Sequence, residues 1–232
     1  MVRRGILAAL AVLFLVGGGA LFYWYGVGAA ALTTQSAPKA TGETALQFPF
    51  AVPGTDLVAL ELTSYAGQYL EDGSVETVAD IAAIILRNDG ADMLEDAQVE
   101  LWQGDRKLCF HLSYLPAGEK ILVLESNRGK YQPSEITACR GSTATAQKDI
   151  PGLVTIRETQ GKILLVTNPG PIPLTKLTIY YKTYDPDKAM FIGGIAYEIQ
   201  IYRIAPGETY FTEPGYYVSG LSRIVKIETS GA

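Results

Sequence analysis

The sequence predicts a mainly β protein in which an N-terminal transmembrane helix precedes two tandem β-sandwich domains. Three observations lead to this prediction: a long uncharged apolar run near the N-terminus, short alternating strands after residue 54, and the same strand and turn order in the second half. The 232 residues are 48% hydrophobic and 19% charged, which excludes a disordered chain.

The apolar run covers residues 6–25 and contains no charged side chain. As a helix it spans about 30 Å, the thickness of a bilayer core. Because Arg3 and Arg4 precede it, the positive-inside rule leaves residues 1–5 as a cytoplasmic stub and exports the remainder. We therefore expect a transmembrane signal-anchor helix over 6–31, in a single-pass cell-membrane protein with extracytoplasmic C-terminal domains.

A cleaved signal peptide is the alternative interpretation of this segment. Ala29, Ala30 and Ala31 offer small residues for a cleavage site. The run is longer than the apolar region of an ordinary signal peptide, and the aromatic residues 22–25 suit the interface end of a retained anchor. Either interpretation exports the same part of the chain.

Residues 32–54 are predicted as a linker, because their first half is small and polar and their second half contains two prolines. The first β-sandwich domain then covers 55–140. In its first strand, alternation places Val58, Leu60 and Leu62 on one face. Further strands are predicted near 81–86, 97–102, 108–114, 121–124 and 136–139, separated by turn residues.

The second β-sandwich domain is predicted over 151–232. Its strands are expected near 153–156, 163–167, 177–181, 195–202, 209–211 and 223–227. Between the two domains, residues 141–150 are predicted as a second linker, exposed and without an apolar stripe. Each domain is expected to close its own core and to fold when the chain is divided there.

The two halves align on an internal repeat. Residues 83–90 match 163–170, with Asn88 and Asn168 at the same position of an Asn-x-Gly turn. A Pro-x-Gly-Glu turn that ends at Glu119 follows in the first half, and an x-Pro-Gly-Glu turn that ends at Glu208 follows in the second. From the asparagine to the glycine of that turn there are 30 steps in the first half and 39 in the second, so the second half contains a longer hairpin near 185–194.

These strands and turns resemble small immunoglobulin-like or fibronectin-type-III-like repeats. Such repeats occur in membrane-anchored bacterial envelope proteins of unassigned function. The resemblance covers about residues 55–230 and rests on β-turn motifs. It implies a binding or spacer role on an envelope surface and supplies no catalytic residues.

The charge balance limits the classes of partner. The net charge is −5, with −8 on residues 55–140 and +1 on residues 151–232, so we expect no nucleic-acid partner. One histidine and two cysteines exclude a two-histidine or four-cysteine metal site, and no cofactor or metal is expected. Cys109 and Cys139 are candidates for a disulfide; two unpaired thiols are the equal alternative.

His111 is expected on the face opposite Leu108, Phe110 and Leu112, and no Gly-x-Ser-x-Gly motif accompanies it. We therefore expect no catalytic residues and no enzyme activity. The second domain is rich in tyrosine, a residue that suits protein interfaces and sugar stacking but is also a common strand residue. The candidate binding surface consists of Tyr180, Tyr184, Tyr216 and Tyr217.

Two functions are consistent with these features. The first is a non-enzymatic membrane-anchored extracytoplasmic protein with a binding, spacer or structural role at the cell envelope. Its expected partners are the membrane, through the N-terminal helix, and a protein or an envelope glycan. The alternative is an accessory subunit of a membrane protein complex that uses its outer β-domains as an assembly platform.

Overall fold

The computed structural model describes residues 45–230 apart from positions 74, 148, 150, 151 and 160. The predicted cytoplasmic stub, the predicted transmembrane helix over 6–31 and most of the linker over 32–54 lie outside the described residues. Among the described residues, no helix has the length and apolar character that a membrane span requires.

The described residues form thirteen β-strands and no helix, so the prediction of a mainly β protein is confirmed. We call β1–β7 the first lobe and β8–β13 the second lobe. The first lobe contains β1 (Phe50–Ala51), β2 (Leu57–Gln68), β3 (Thr77–Asn88), β4 (Leu94–Gln103), β5 (Arg106–Leu115), β6 (Lys120–Leu124) and β7 (Ala138–Thr145). The second lobe contains β8 (Thr155–Glu158), β9 (Leu164–Thr167), β10 (Leu174–Asp185), β11 (Met190–Ile204), β12 (Thr209–Thr212) and β13 (Ser222–Ser230).

The two lobes have the same strand order. The first lobe pairs β2-β3-β6 in one sheet and β5-β4-β7 in another, and the second lobe pairs β8-β9-β12 and β11-β10-β13. One sheet of each lobe is joined to the other by β6 and β11, which gives a continuous seven-stranded sheet of order β1-β2-β3-β6-β11-β10-β13. The lobes therefore share a sheet, which the sequence did not predict.

Each lobe has a hydrophobic cluster drawn from both of its sheets. In the first lobe, the cross-strand pairs Val99–Phe110 and Leu101–Leu108 lie in the core, because paired residues of antiparallel strands point to the same face. His111 points to the opposite, exposed face, as its position between buried neighbours predicts. The alternation of apolar residues thus fixes the core face of β4 and β5.

The face predicted for β2 is shifted by one residue. The structure buries Leu57 and Ala59, whereas Val58 and Leu60 are only partly buried. A register shift between Ala59 and Glu61 then turns Leu62 toward the same core. Such a β-bulge adds one residue to one strand and changes the facing of every residue beyond it, so simple alternation mispredicts the strand.

The Asn-x-Gly motif of the first lobe is a buried hydrogen-bonding centre. The side-chain Nδ2 of Asn88 donates to the carbonyl oxygens of Asp92 at 2.9 Å and Leu115 at 3.1 Å. Its Oδ1 accepts from the Gly90 backbone N–H at 3.0 Å. The asparagine thereby fastens the β3–β4 turn to the end of β5, and the exposed fraction of Asn88 is 0%.

The second lobe repeats this centre bond for bond. Asn168 donates to the carbonyl oxygens of Ile172 at 2.9 Å and Ile204 at 3.1 Å, and it accepts from the Gly170 backbone N–H at 3.0 Å. These partners occupy the positions that correspond to those around Asn88. The internal repeat identified in the sequence is therefore a repeat of hydrogen bonds as well as of residue types.

The long hairpin of the second lobe reaches the first lobe. β11, the second strand of this hairpin, runs parallel to β6, with Phe191 paired to Ile121 and Ile192 paired to Leu122. Tyr184 and Phe191 join the core cluster of the first lobe and pack with their ring centroids 5.3 Å apart. The additional length of this hairpin thus places part of the second half inside the core of the first.

The strand β7 extends further than the sequence predicts. It runs to Thr145 and pairs with β4 from Trp102↔Ala138 to Leu94↔Thr145. Five residues of the segment predicted as a linker, 141–145, therefore belong to a paired strand. Their small polar side chains carry no core signal, but the backbone of an edge strand pairs whatever its side chains are.

Candidate functional site

A buried lysine connects the two lobes. Lys182 lies on β10 and is completely buried. Its Nζ donates to three carbonyl oxygens: that of Ser113 on β5 at 2.9 Å, and those of Gly194 and Ile195 on β11 at 2.6 and 2.8 Å. An ammonium group has three N–H donors, so this set satisfies all of them. Lys182 therefore joins a strand of the first lobe to two strands of the second.

A glutamate lies next to this lysine. Glu71 Oε1 accepts from the Leu124 backbone N–H at 2.7 Å, and its Oε2 accepts from the Gly194 backbone N–H at 2.7 Å. Burial raises the pKa of Glu71, while these two hydrogen bonds and the Lys182 charge act to lower it. We call Glu71, Ser113, Lys182 and Gly194 the lobe joint.

The pKa of Lys182 is lowered to about 7, because burial disfavours its charged form more strongly than the Glu71 charge favours it. The joint therefore contains a basic group whose pKa lies near neutrality. An unpaired charge at this position would be costly, so the three carbonyl acceptors and Glu71 are needed together.

Gly194 is required by the closeness of the strands at the joint. A Cβ atom at this position would overlap the carbonyl oxygen of His111 and would lie 2.7 Å from Glu71 Oε2. Only glycine allows β11 to approach β5 this closely. The Gly193-Gly194 pair in the sequence therefore marks the contact between the lobes.

A cleft of about 550 Å³, lined by residues with polar side chains, lies beside the joint. Its lining residues are Tyr69, Glu71, Asp72, His111, Ser126, Asn127 and Arg128. Arg128 forms ion pairs with Asp72 at 3.0 Å and Glu76 at 2.7 Å, and its guanidinium lies 4.5 Å from the centre of the Tyr69 ring. The charges in this part of the cleft are therefore engaged with one another.

His111 is bound to a carboxylate on the neighbouring strand. Its Nε2 contacts Asp96 Oδ1, and this hydrogen bond raises the pKa of the imidazole against the opposing effect of burial. Nucleophilic catalysis would need an activated hydroxyl or thiol beside the ring. Cys109 lies two residues away on the same face, but burial raises the pKa of its thiol, so less of the reactive thiolate forms.

The structure separates the two cysteines. Both are free thiols. Cys109 pairs with Glu100 and Cys139 pairs with Leu101, so they flank β4 on opposite sides, and they face opposite surfaces of the sheet because Glu100 and Leu101 are consecutive. A disulfide needs Cβ atoms about 4 Å apart, which two non-adjacent strands do not allow. This geometry favours the alternative of two unpaired thiols.

The four tyrosines chosen from the sequence do not form one surface. Tyr184 is 7% exposed and Tyr217 is 1% exposed, so both are core residues. Tyr180 is half-buried against Tyr114, with ring centroids 4.5 Å apart, and Tyr216 is exposed and stacks on Tyr197. The prediction of a surface containing Tyr184 and Tyr217 is therefore corrected: Tyr184 lies on the part of β10 that enters the first core, and Tyr217 lies in the loop between β12 and β13 and packs in the second core.

Exposed apolar side chains are nevertheless concentrated on the second lobe. Of the large hydrophobic residues that are exposed in the described part of the chain, Val75 alone belongs to the first lobe. The others belong to the second lobe: Ile163, Ile172, Tyr202, Tyr210, Phe211, Tyr216, Val218 and Leu221. Phe211 is 69% exposed and Tyr202 is 60% exposed. These residues lie on both sheets and on the turns of the second lobe, and their number makes this lobe the candidate for an interaction surface.

Sequence reasoning missed Lys182 and Glu71. Lys182 directly follows the strand predicted over 177–181, and a lysine within an apolar strand is a detectable signal for a buried polar contact. Glu71 gave no signal, because it lies among other polar residues after β2. Only the fold brings these residues together, 111 positions apart in the chain.

The chain matches no protein-family model and no curated protein.

Proposed function

We propose that this chain is a non-enzymatic, membrane-anchored protein of the cell envelope whose extracytoplasmic lobes bind a partner protein. In this proposal residues 6–31 anchor the chain in the cell membrane, and the described residues lie outside the cell. The observation that carries the proposal is the concentration of exposed apolar side chains on the second lobe.

We propose further that the two lobes are tandem immunoglobulin-like β-sandwiches. This is supported by the same strand order in both lobes, by a hydrophobic cluster drawn from both sheets of each, and by the repeated asparagine centre. Sandwich domains of this kind commonly serve as binding or spacer modules, although a fold by itself does not specify a function.

The lobe joint supports a spacer role in addition to binding. A shared sheet, an inserted hairpin and the buried Lys182 oppose bending between the lobes. In the proposal, the first lobe and the joint act as a stiff support that presents the second lobe at a fixed distance from the membrane.

An accessory subunit of a membrane protein complex is the second candidate. The exposed side chains of the second lobe also favour it, because a permanent partner would cover them. The two candidates differ in stoichiometry: an accessory subunit co-purifies with its partner in a fixed ratio from solubilised membranes, whereas a binding protein of the envelope does not.

Site-specific photo-crosslinking in intact cells tests the proposal. A photoreactive amino acid at position 211 is expected to give one defined crosslinked product, identified by mass spectrometry. Position 75 is the matched control, because Val75 is 81% exposed but lies on the first lobe. Equal products from both positions, or none from position 211, would contradict a binding surface on the second lobe. Protease added outside the cells is expected to degrade the two lobes and spare the stub.

A further inference from the structure

We infer that the free edge of β12 is a strand-addition site for an extended apolar segment of a partner protein. The inference rests on the proposed binding function and names the site and the kind of partner. It follows from the internal repeat, because the corresponding edge of the first lobe is already occupied by a strand.

β12 corresponds to β6. The alignment of Glu208 with Glu119 places Tyr210 at the position of Ile121 and Phe211 at the position of Leu122. Both strands follow corresponding turns, and each pairs antiparallel with the middle strand of its trio, β6 with β3 in β2-β3-β6 and β12 with β9 in β8-β9-β12. On its other side β6 pairs in parallel with β11, whereas β12 has no further strand partner within the described residues.

The two edges differ in exposure as this difference in pairing predicts. Ile121 is 0% exposed in the core of the first lobe, where it pairs with Phe191 of the hairpin, and Leu122 is 8% exposed in a cluster that includes Met190 of the hairpin. Tyr210 is 42% exposed and Phe211 is 69% exposed. An unpaired edge that also carries large apolar side chains is a template for strand addition.

The occupied edge shows what such a partner should contain. The strand on β6 runs parallel to it and supplies consecutive large apolar residues, including Phe191 and Ile192. Glu119, which directly precedes β6, forms an ion pair at 3.6 Å with Arg223 of β13, so the basic partner at this edge comes from a different strand than the one paired with β6. Glu208, the counterpart of Glu119, is exposed at the start of β12.

The occupant is therefore an extended segment of another protein, parallel to β12, with consecutive large apolar residues. A basic residue before them would complement the exposed Glu208. Its backbone would pair with the β12 edge, its apolar side chains would cover Tyr210 and Phe211, and its basic group would face Glu208. Main-chain pairing supplies affinity in this mode, and the side chains supply specificity.

A free peptide with the sequence of residues 186–197, the segment that occupies β6, is the probe. Hydrogen exchange of the full-length protein, purified in detergent, is followed by mass spectrometry at saturating peptide. We expect amide exchange in the fragment containing 209–212 to slow by roughly tenfold, while exchange in the fragment containing 121–124 stays unchanged.

A second peptide tests the role of Glu208. If the peptide keeps the register of Phe191 opposite Ile121, its position 189 lies opposite Glu208. The A189K peptide should therefore bind several-fold more tightly, and this gain should disappear in the protein variant E208Q.

Matched variants distinguish specific binding at the β12 edge from non-specific hydrophobic binding of the peptide. Phe211→Ser and Tyr210→Ser should abolish the protection, whereas Ile172→Ser, at another exposed apolar site of the same lobe, should retain it. No protection at β12, protection that survives Phe211→Ser, or equal protection by a scrambled peptide would overturn the inference. Protection without peptide that rises with protein concentration would instead assign the edge to a second copy of the chain. If the peptide gives no protection at β12 but position 211 still yields one crosslinked product in cells, the strand-addition site is wrong and the proposed binding function is retained.

Discussion

At the scale of single residues, Gly194 is the described glycine at which an added Cβ would come closest to another atom, the carbonyl oxygen of His111. Gly194→Ala should destabilise the protein by about 3 kcal/mol, because the new methyl group would overlap the backbone oxygen of His111 and force β5 and β11 apart. Thermal or urea unfolding measures the effect. Gly215→Ala is the control, since a Cβ there meets no atom within 4 Å, and its stability should change by less than about 0.5 kcal/mol. Equal effects of the two substitutions would refute a close contact at the joint.

Lys182 should give the protein a distinctive dependence on pH. Its folded-state pKa of about 7 lies below the ordinary lysine value, so between these two values the unfolded chain binds more protons than the folded chain. The free energy of unfolding should therefore rise with pH above 7, by at most about 1.4 kcal/mol per pH unit. Lys182→Met should remove this rise while keeping the length of the side chain. Urea unfolding at pH 7, 8 and 9 tests it, and parallel pH profiles for the two proteins would contradict it.

At the scale of elements, the hairpin of β10 and β11 decides how the lobes are joined. Phe191→Ala should cost about 3–4 kcal/mol, because Phe191 is buried in the first core and pairs with β6. Phe211→Ala is the matched control on the second lobe, and it should change stability by less than about 0.5 kcal/mol. Denaturant unfolding compares them, and a small effect of Phe191→Ala would mean that the hairpin is not docked on the first lobe.

The repeated turn gives a second prediction at this scale. Asn88→Ala and Asn168→Ala each leave one buried carbonyl, one partly buried carbonyl and one N–H without a side-chain partner, so each should cost about 2–3 kcal/mol. The exposed Asn127 provides the control, and Asn127→Ala should have little effect. Strongly unequal losses at positions 88 and 168, measured by thermal unfolding, would argue against equivalent roles in the two lobes.

The sequence predicted where the strands lie better than it predicted which of their residues point into the core. Alternation correctly places Leu108, Phe110 and Leu112 in the core, because those three positions lie on a regular strand. It fails on β2, where a bulge changes the register, and it cannot assign Tyr184, whose strand leaves the second core and enters the first. Bulges and crossings depend on partner strands, which a local pattern does not contain.

At the scale of the whole molecule, the two lobes should depend on each other unequally. The sequence predicts that residues 50–145 and 146–232 fold separately. The first core, however, also takes Tyr184, Phe191 and Val225 from the second half. We therefore expect the fragment 146–232 to give dispersed amide resonances alone, and the fragment 50–145 to disperse fully only after 146–232 is added. NMR spectra of each fragment and their mixture provide the measurement; equal dispersion of 50–145 with and without its partner would contradict this dependence.

What the sequence alone determined is the local and repetitive part of the structure. Apolar alternation and turn residues identify most of the strands, and the aligned Asn88 and Asn168 identify the repeat with its longer second hairpin. The tertiary structure decided where that hairpin docks, that Lys182 and Glu71 meet, and that the edge of β6 is covered while the edge of β12 is free. The physical reason is that side-chain pattern follows from the geometry of one strand, whereas burial, charge pairing and edge occupancy depend on strands far apart in the chain.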